Sequence, residues 1–426
     1  MLATLDKLYR ACKNGNDKVV SEILSVSTDL DINKAGNDGK TALFHAINER
    51  CVNTTRQLLQ HNANPHKASF ISYHRDRSSV QLVACDEPPI VTAARVGSLE
   101  ILQLLMEHSV NPDGQSECHS HISGVKVRDK TALHFACEHH DVQMVSLLLN
   151  RGADVNIEDR QNELPIHIAV RCRDCPKQSE IVKMLCEHGT DVNLPNKIAC
   201  PPLYLAAFYG CLRKVEMLML YGADVDNLCE RDSSYGSALH IAAVKDRLPL
   251  AELLIKHNVL LNQVNGAGYS PLELNMSVLN QSSIAPLLIY HGARMSANVS
   301  GDYTLLATCI RAIRLDCESL AKLMVYAGYN LNRDHWLRPR EVQSQLLERG
   351  EVIPNIAIPS GRVERLCDWL HLQQTNPLSL ADLGRIRIRE SLAENRDGKS
   401  IVPSIAKLPL PSAIRQFLLL TEFVTF

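Results

Sequence analysis

The chain has 426 residues, and its 45 Lys and Arg against 47 Asp and Glu leave a formal net charge of −2, which gives no support to nucleic-acid binding. Hydrophobic residues make up 45% and aromatic residues only 5%. This aliphatic bias favours stacked helices over sheet sandwiches and predicts a mostly α-helical protein with a continuous core.

Cysteine usage and hydropathy bear on the compartment. Fourteen cysteines are scattered through the chain without a disulfide-like spacing, and the first residues lack the basic and apolar regions of a signal peptide. We therefore expect a reducing, cytoplasmic location, with the nucleus as the other candidate. No apolar run approaches the roughly 18 to 20 residues that span a bilayer, so no membrane partner is expected.

A three-part unit recurs along most of the chain. Its clearest copy begins Thr-Ala-Leu-His-Phe-Ala at residue 131, continues with an apolar run and ends Gly-Ala-Asp-Val-Asn at residue 152. The aliphatic residue of the first segment recurs at intervals of 33 to 37 residues, at Leu133, Ile166, Leu203, Leu239, Leu272 and Leu305. This period and these motifs resemble ankyrin repeats, in which stacked helix pairs bury a shared core. We count about nine units: 5–35, 37–69, 86–113, 127–159, 160–196, 197–231, 232–266, 267–299 and 300–334.

Each part of the unit has a physical role. The hydroxyls of Thr131 and Ser237 are expected to cap first helices. Glycines such as Gly152 end second helices, where a positive φ is needed. Histidines recur near one repeat position, at His45, His134, His167 and His240. We interpret them as bridges between backbone groups of neighbouring repeats and not as catalytic groups.

Three insertions interrupt the repeats, at 70–85, 114–126 and 171–176. Insertions that project from a rigid scaffold often carry binding specificity, although tolerated loop expansion is the alternative. The first two follow consecutive repeats, so we expect them to lie side by side near one edge of the concave face. Tyr73, Arg75 and Arg77 in the first insertion are the candidate substrate contacts.

Signs of catalytic or metal chemistry are weak. Cys118, His119 and His121 lie close together, and Cys172 and Cys175 form a lone Cys-x-x-Cys, but neither set has a second ligand pair at structural-zinc spacing. We predict no metal site and no cofactor, and a metal-dependent activity at 118–121 is the third candidate function. Signatures of a nucleophile elbow, a phosphate loop or a kinase are absent from the sequence, so no catalytic residue is predicted.

The residues after the repeats follow a different pattern. Residues 335–374 are expected to form a linker and a capping helix, and residues 375–426 a separate module. Ser379 can cap a helix in which Leu380, Leu383, Ile386 and either Ile388 or Leu392 recur at helical spacing, with arginines interleaved. One interpretation is a small helical cap packed on the last repeat.

This tail also resembles a SOCS box, in which Ser/Thr-Leu-x-x-x-Cys opens an elongin-binding helix and Leu-Pro-x-Pro marks a cullin contact. Ser379 and Leu380 match the start of the first motif, and residues 408–411 match the second in full. The whole chain is similar to ankyrin repeat and SOCS box proteins. The predicted fold is therefore an all-α ankyrin-repeat solenoid of about nine repeats (1–334), a linker and capping helix (335–374) and a small helical SOCS box (375–426).

The resemblance implies a function as well as a fold. Such proteins are non-catalytic substrate receptors of cullin-RING ubiquitin ligases. The implied partners are elongin B and C, a cullin of the fifth type with its RING subunit, and an unknown substrate protein. The implied elongin contacts are Leu380, Leu383, Gly384 and Ile388, with Arg385 and Arg389 fitting the same helix, and the implied cullin contacts are Leu408, Pro409, Leu410 and Pro411.

One position departs from the family pattern, because Gly384 stands where the elongin-binding helix normally carries cysteine. Loss of a small buried side chain costs about 1 kcal/mol, and glycine within a helix costs about 0.5 to 1 kcal/mol more. We expect elongin affinity to fall roughly ten- to thirtyfold but not to vanish. The alternative is a protein-binding ankyrin scaffold that recruits no ligase.

Overall fold

The computed structural model describes residues 2–26, 30–74, 82–119, 126–171, 176–229, 236–278, 283–295, 298–300, 303–304, 317–329, 331, 366, 368–373, 380–394, 399–408, 410 and 412–420. The chain divides into two compact units, Met1–Gly222 and Ala223–Phe426. No helix among these residues is long and apolar enough to cross a membrane.

The described residues of the first unit include six successive helix pairs, as the repeat pattern predicts. Within it, first helices pack on first helices and second helices on second helices of the neighbouring pair. The pairs are α1 (Leu2–Lys13) and α2 (Asp17–Val26), α3 (Ala42–Asn48) and α4 (Val52–Gln60), α5 (Pro89–Val96) and α6 (Leu99–Glu107), α7 (Ala132–Glu138) and α8 (Val142–Asn150), α9 (Pro165–Ala169) and α10 (Pro176–Glu187), and α11 (Pro202–Tyr209) and α12 (Leu212–Leu220).

The second unit begins with further helix pairs of the repeat pattern and ends with three helices that do not follow it. It contains the pairs α13 (Ala238–Val244) with α14 (Leu248–Lys256) and α15 (Pro271–Val278) with α16 (Ile284–Tyr290), followed by α17 (Cys317–Tyr326). A short ribbon of β5 (Asn298–Ser300) and β6 (Tyr303–Thr304) precedes α17. The last three helices are α18 (Leu380–Glu394), α19 (Val402–Lys407) and α20 (Ser412–Leu419), which we call the C-terminal module.

Helical residues 368–373 lie before the C-terminal module. Leu366 and Leu370 are buried, and the Trp369 ring centroid is 6.1 Å from that of Tyr326 in α17. The Lys322 ammonium lies 5.6 Å from the same indole. The predicted capping helix therefore packs against the last described repeat helix.

The two long insertions form strands where the sequence suggested only projecting loops. The strands β1 (Ser69–His74), β2 (Leu82–Glu87), β3 (Gln115–His119) and β4 (Lys126–Thr131) make one antiparallel sheet in that order. The two hairpins join through β2 and β3, where Cys85 is opposite Cys118. The insertions therefore lie side by side, as predicted, because strand pairing satisfies backbone groups that isolated loops would leave to water.

Helix capping follows the sequence in part. The Phe44 and His134 backbone N–H groups donate to the hydroxyls of Thr41 and Thr131, which start α3 and α7. At α13 the Ser237 hydroxyl lies 3.0 Å from His240 Nδ1, and that ring nitrogen accepts the Ser237 N–H. Ser237 and His240 thus form a capping box of the kind that Thr131 and His134 form at α7.

Three of the four recurring histidines bridge neighbouring repeats, as predicted. His134, His167 and His240 each accept a backbone N–H of their own repeat at Nδ1. Their Nε2–H groups donate to the carbonyls of Glu163, Leu194 and Tyr269, at 2.8, 3.0 and 3.1 Å. His45 differs, since its Nε2 lies 3.4 Å from Asp38 Oδ2.

Burial of these bridging imidazoles makes stability depend on pH. Burial lowers the pKa of His134, and it lowers the pKa values of His167 and His240 to about 4. Below pH 6.5 the imidazoles bind protons in the unfolded chain but stay neutral in the folded chain, which favours unfolding. The stability that the neutral imidazoles contribute is therefore complete above pH 6.5 and is lost as the pH falls towards 4. For His167 and His240 we expect the free energy of unfolding to drop by about 2 kcal/mol each between pH 7.5 and 5.0.

Urea unfolding at both pH values measures this drop. The His240→Gln variant is expected to start less stable at pH 7.5 and to show a smaller drop by pH 5.0. An equal drop in the variant and the parent protein would contradict the assignment to this imidazole.

Candidate functional site

The two faces of α18 differ sharply in exposure. Arg385, Arg389 and Ala393 are 1%, 4% and 8% exposed and recur every fourth residue, so they form one buried stripe. Gly384 is exposed, and Ile388, one turn later, is 41% exposed. The helix thus leaves an open face that begins with residues predicted to contact elongin.

All four predicted elongin contacts lie in this helix, but the structure describes the exposure of only two of them. Leu380 lies one turn before Gly384, but the side chains of Leu380 and Leu383 are outside the described part of the structure. Gly384 and Ile388 are accessible to a partner. Elongin binding at these four positions stays a prediction, and two of the four are on the open face.

Gly384 leaves room for a side chain. A Cβ placed on it would meet no heavy atom within 4 Å outside its own helix backbone. Nothing among the described residues therefore requires glycine for packing. At this position, where the family pattern has cysteine, the space for a side chain is unfilled and faces outward.

Arg385, which the resemblance placed on this helix but not among its elongin contacts, is buried and points inward. Its Nη2 lies 2.5 Å from Asp382 Oδ1, and its guanidinium lies 4.2 Å from the Phe417 ring centroid and 5.1 Å from that of Tyr326. These rings belong to α20 and α17. Cation–π contacts of a desolvated guanidinium are stabilising, so Arg385 joins three helices.

Arg389 also points inward and connects the module to the repeats. It donates from Nη1 to the Leu418 carbonyl at 2.7 Å and from Nη2 to the carbonyls of Ile289 and Tyr290 at 2.8 and 3.1 Å. Burial, together with the nearby Arg385 charge, lowers the pKa of Arg389 to about 10. The guanidinium remains charged at neutral pH, and its hydrogen bonds offset the cost of burying it.

The C-terminal module contacts the ends of helices in the last repeats directly. The Ile401 N–H donates to the His291 carbonyl at 2.9 Å, and Ser400 Oγ is 2.6 Å from His291 Nδ1. A Cβ on Gly292 would lie 3.0 Å from three side-chain carbons of Ile401. A Cβ on Gly328 would lie 2.9 Å from Ile386. The glycines that end repeat helices thus also admit side chains of the module.

Substitution of Gly292 tests this close approach. Gly152 ends an equivalent helix at φ 81° with nothing within 4 Å, whereas Gly292 has φ 96° and contacts Ile401. Alanine is strained at both positions, but only Gly292→Ala must also displace Ile401. We expect Gly292→Ala to lower the free energy of unfolding by about 1 kcal/mol more than Gly152→Ala. Urea denaturation of the two variants measures the difference, and equal losses would contradict the contact.

The predicted cullin contacts lie against the core of the module. Ala393, Ile401, Ile405 and Leu418 form a buried cluster, and Leu408 and Leu410 pack partly buried against it. Pro409 and Pro411 lie outside the described residues. One side of each leucine therefore packs on the cluster, and the other side remains partly accessible to a partner.

The predicted substrate contacts are less defined. Tyr73 lies in β1, at the outer edge of the insertion sheet, and Arg75 and Arg77 lie outside the described residues. Cys118 and His119 lie in β3, and His121 is not described. No group of three or more His, Cys, Asp or Glu suited to a metal ion is found in the part of the chain that the structure describes.

Comparison with known families matches both parts of the chain. The family model for ankyrin repeats (3 copies) matches residues 6–69, 90–196 and 203–299, which is more than half of the chain, and the SOCS box model matches residues 376–419. The chain belongs to the ankyrin repeat and SOCS box family. The C-terminal module is accordingly its SOCS box.

Individual relatives resemble this ankyrin repeat and SOCS box protein over limited lengths. Human transient receptor potential cation channel subfamily A member 1 is 24% identical over 329 residues, which are 68% of this chain and 27% of the channel subunit. The ankyrin repeat protein nuc-2 of Neurospora crassa is 27% identical over 248 residues, which are 58% of this chain and 20% of nuc-2. The chain spans less than a third of either relative.

Proposed function

We propose that this protein is the substrate-recognition adaptor of an elongin/cullin-RING ubiquitin ligase. An ankyrin array joined to a SOCS box supports an adaptor role of this kind. In the proposal, the repeats bind a substrate protein, and the SOCS box recruits elongin B and C together with a cullin of the fifth type and its RING subunit. We propose the cytoplasm as the site of this activity, with the nucleus as the other candidate.

The observation that carries the proposal is the open face of α18. Its opposite face is held to the repeats by Arg385 and Arg389, so Gly384 and Ile388 are presented outward at a constant orientation. A helix whose only role is to cap the repeats has no need of an exposed isoleucine one turn from an exposed glycine. A partner that covers this face would remove the apolar surface from water.

The mechanism in this proposal is proximity. Holding a substrate protein and a charged ubiquitin-conjugating enzyme in one assembly raises the effective concentration of the thioester near substrate lysines. This chain would contribute no catalytic residue. Its packed junction between SOCS box and repeats would limit the directions from which the substrate is presented.

Direct binding to purified elongin B and C tests the proposal. We expect association at micromolar concentrations, and we expect Leu380→Ala to reduce affinity by roughly tenfold or more, because it truncates the largest predicted anchor. Leu220→Ala is the matched control, because Leu220 is 74% exposed at the end of α12. Absence of association, or equal affinity of the two variants, would refute elongin recruitment.

One observation favours a second candidate function. The buried arginines and the close contacts at Gly292 and Gly328 are also what a structural cap of the repeats would require. A protein-binding scaffold that recruits no ligase would then bind its partner through the repeats and fail to bind elongin. The same binding measurement separates the two functions.

A further inference from the structure

A groove of about 460 Å³ lies between the SOCS box and the second helices of the last repeats. Glu252, Ile255 and Lys256 of α14 and Leu287 of α16 line one side. Ser400, Val402 and Pro403 line the other. The groove is therefore formed jointly by the repeats and the box, and it exists only when the two are packed together.

The groove has an apolar floor and a charged rim. Ile255 and Leu287 are 5% and 3% exposed, whereas Pro403 is exposed and Val402 is half-buried. Glu252 and Lys256 are exposed, one turn apart, and contribute one charge of each sign. This composition suits an apolar side chain of a protein partner that is flanked by polar groups.

The position of the groove argues against two of the proposed partners. Its repeat side comes from second helices and the turns after them, whereas the candidate substrate contacts Tyr73, Arg75 and Arg77 belong to the first insertion, residues 70–85. None of its described lining residues belongs to α18, which carries the open face assigned to elongin. The groove therefore lies outside the surfaces predicted to bind the substrate and elongin.

The groove is continuous with the cullin element. Val402 and Pro403 begin α19, and the six residues of this helix lead directly to Leu408. At 1.5 Å per residue the helix is about 9 Å long, a distance that one protein partner easily spans. Ser400, which contacts His291 and accepts the Val402 N–H at 3.3 Å, fixes the start of this helix on the repeats.

We propose that the groove between α14, α16 and the start of α19 is a second cullin contact, so that the cullin binds the last repeats as well as the SOCS box. The proposal rests on the proposed ligase function and adds a surface to it. The cullin would insert an apolar side chain over Ile255 and Leu287 while contacting Leu408 and Leu410. Cullin affinity would then depend on how the box is packed on this particular repeat array.

Two substitutions on opposite sides of the groove test the proposal in the complex with elongin B and C. Pro403→Glu places a charge on the apolar edge, and Glu252→Trp fills the groove from the repeat side. Glu187→Trp is the control for the second, because Glu187 is an exposed glutamate on another second helix, α10. We expect each groove variant to weaken cullin binding by roughly tenfold, with elongin affinity and melting temperature unchanged.

The outcomes are distinguishable. Unchanged cullin affinity in both groove variants, together with a loss in Leu408→Ala, would overturn the groove proposal and leave the ligase function intact. Failure of the parent complex to bind cullin at all would instead refute the ligase function. A change in the oligomeric state of the free chain on Glu252→Trp, without an effect on cullin, would mean that the groove joins two copies, and this too would overturn the proposal.

Discussion

Replacement of Gly384 by cysteine is expected to raise elongin affinity roughly ten- to thirtyfold. The glycine is exposed, and an added Cβ meets no atom within 4 Å, so the free protein accommodates the side chain without rearrangement. The gain has two sources. A small side chain becomes buried against the partner, worth about 1 kcal/mol, and the helix is relieved of a glycine, worth about 0.5 to 1 kcal/mol.

A second variant separates these sources. Gly384→Ala restores helix propensity but fills less of a partner pocket, so its affinity is expected to rise only about two- to fivefold. Isothermal titration of purified elongin B and C into each variant under reducing conditions measures both values. If cysteine binds no more tightly than alanine, position 384 acts only through helix stability and does not enter a partner pocket.

Replacement of Arg389 by methionine is expected to destabilise the junction of SOCS box and repeats by about 3 kcal/mol. The variant removes the guanidinium donors to the carbonyls of Ile289, Tyr290 and Leu418, of which the Ile289 carbonyl keeps its hydrogen bond from the Gly292 N–H. Thermal unfolding should begin at a lower temperature, and elongin affinity should fall because α18 is less often held in place.

Arg387→Met is the matched control for this prediction. Arg387 is two residues away on the same helix, its side chain is 85% exposed, and its ion pair with Glu390 is a surface contact of little net value. We expect its effect on stability to be within about 0.5 kcal/mol. Similar losses in the two variants would show that helix composition, and not the buried hydrogen bonds of Arg389, determines the stability of the junction.

Local periodicity explains why much of the fold can be predicted from the sequence. The 33- to 37-residue interval, the capping threonines and the helix-ending glycines predicted the helix pairs, which the structure confirms from α1 to α16. The bridging role of His134, His167 and His240 was also predicted, since the histidine recurs at one repeat position. The strands of the insertions were missed, because short hairpin strands carry weak patterns beside strong helical repeats.

The candidate site was predicted unevenly. Short motifs located α18, Gly384 and the Leu408 to Pro411 element, but they did not predict that Arg385 and Arg389 would be buried. Arginine is usually exposed. These two are buried because Arg385 makes cation–π contacts with aromatic rings, and Arg389 donates hydrogen bonds to carbonyls, of segments distant in the sequence. No spacing within α18 reveals those partners.

Local patterns in the sequence are enough to predict the repeat array, the terminal module and the residue that departs from its family pattern. The open face of α18 and the choice of repeats that contact the module depend on tertiary packing. Gly152 and Gly292 occupy the same place in their repeats, yet only Gly292 contacts Ile401. Such contacts join residues about a hundred positions apart, and their geometry depends on how whole helices pack.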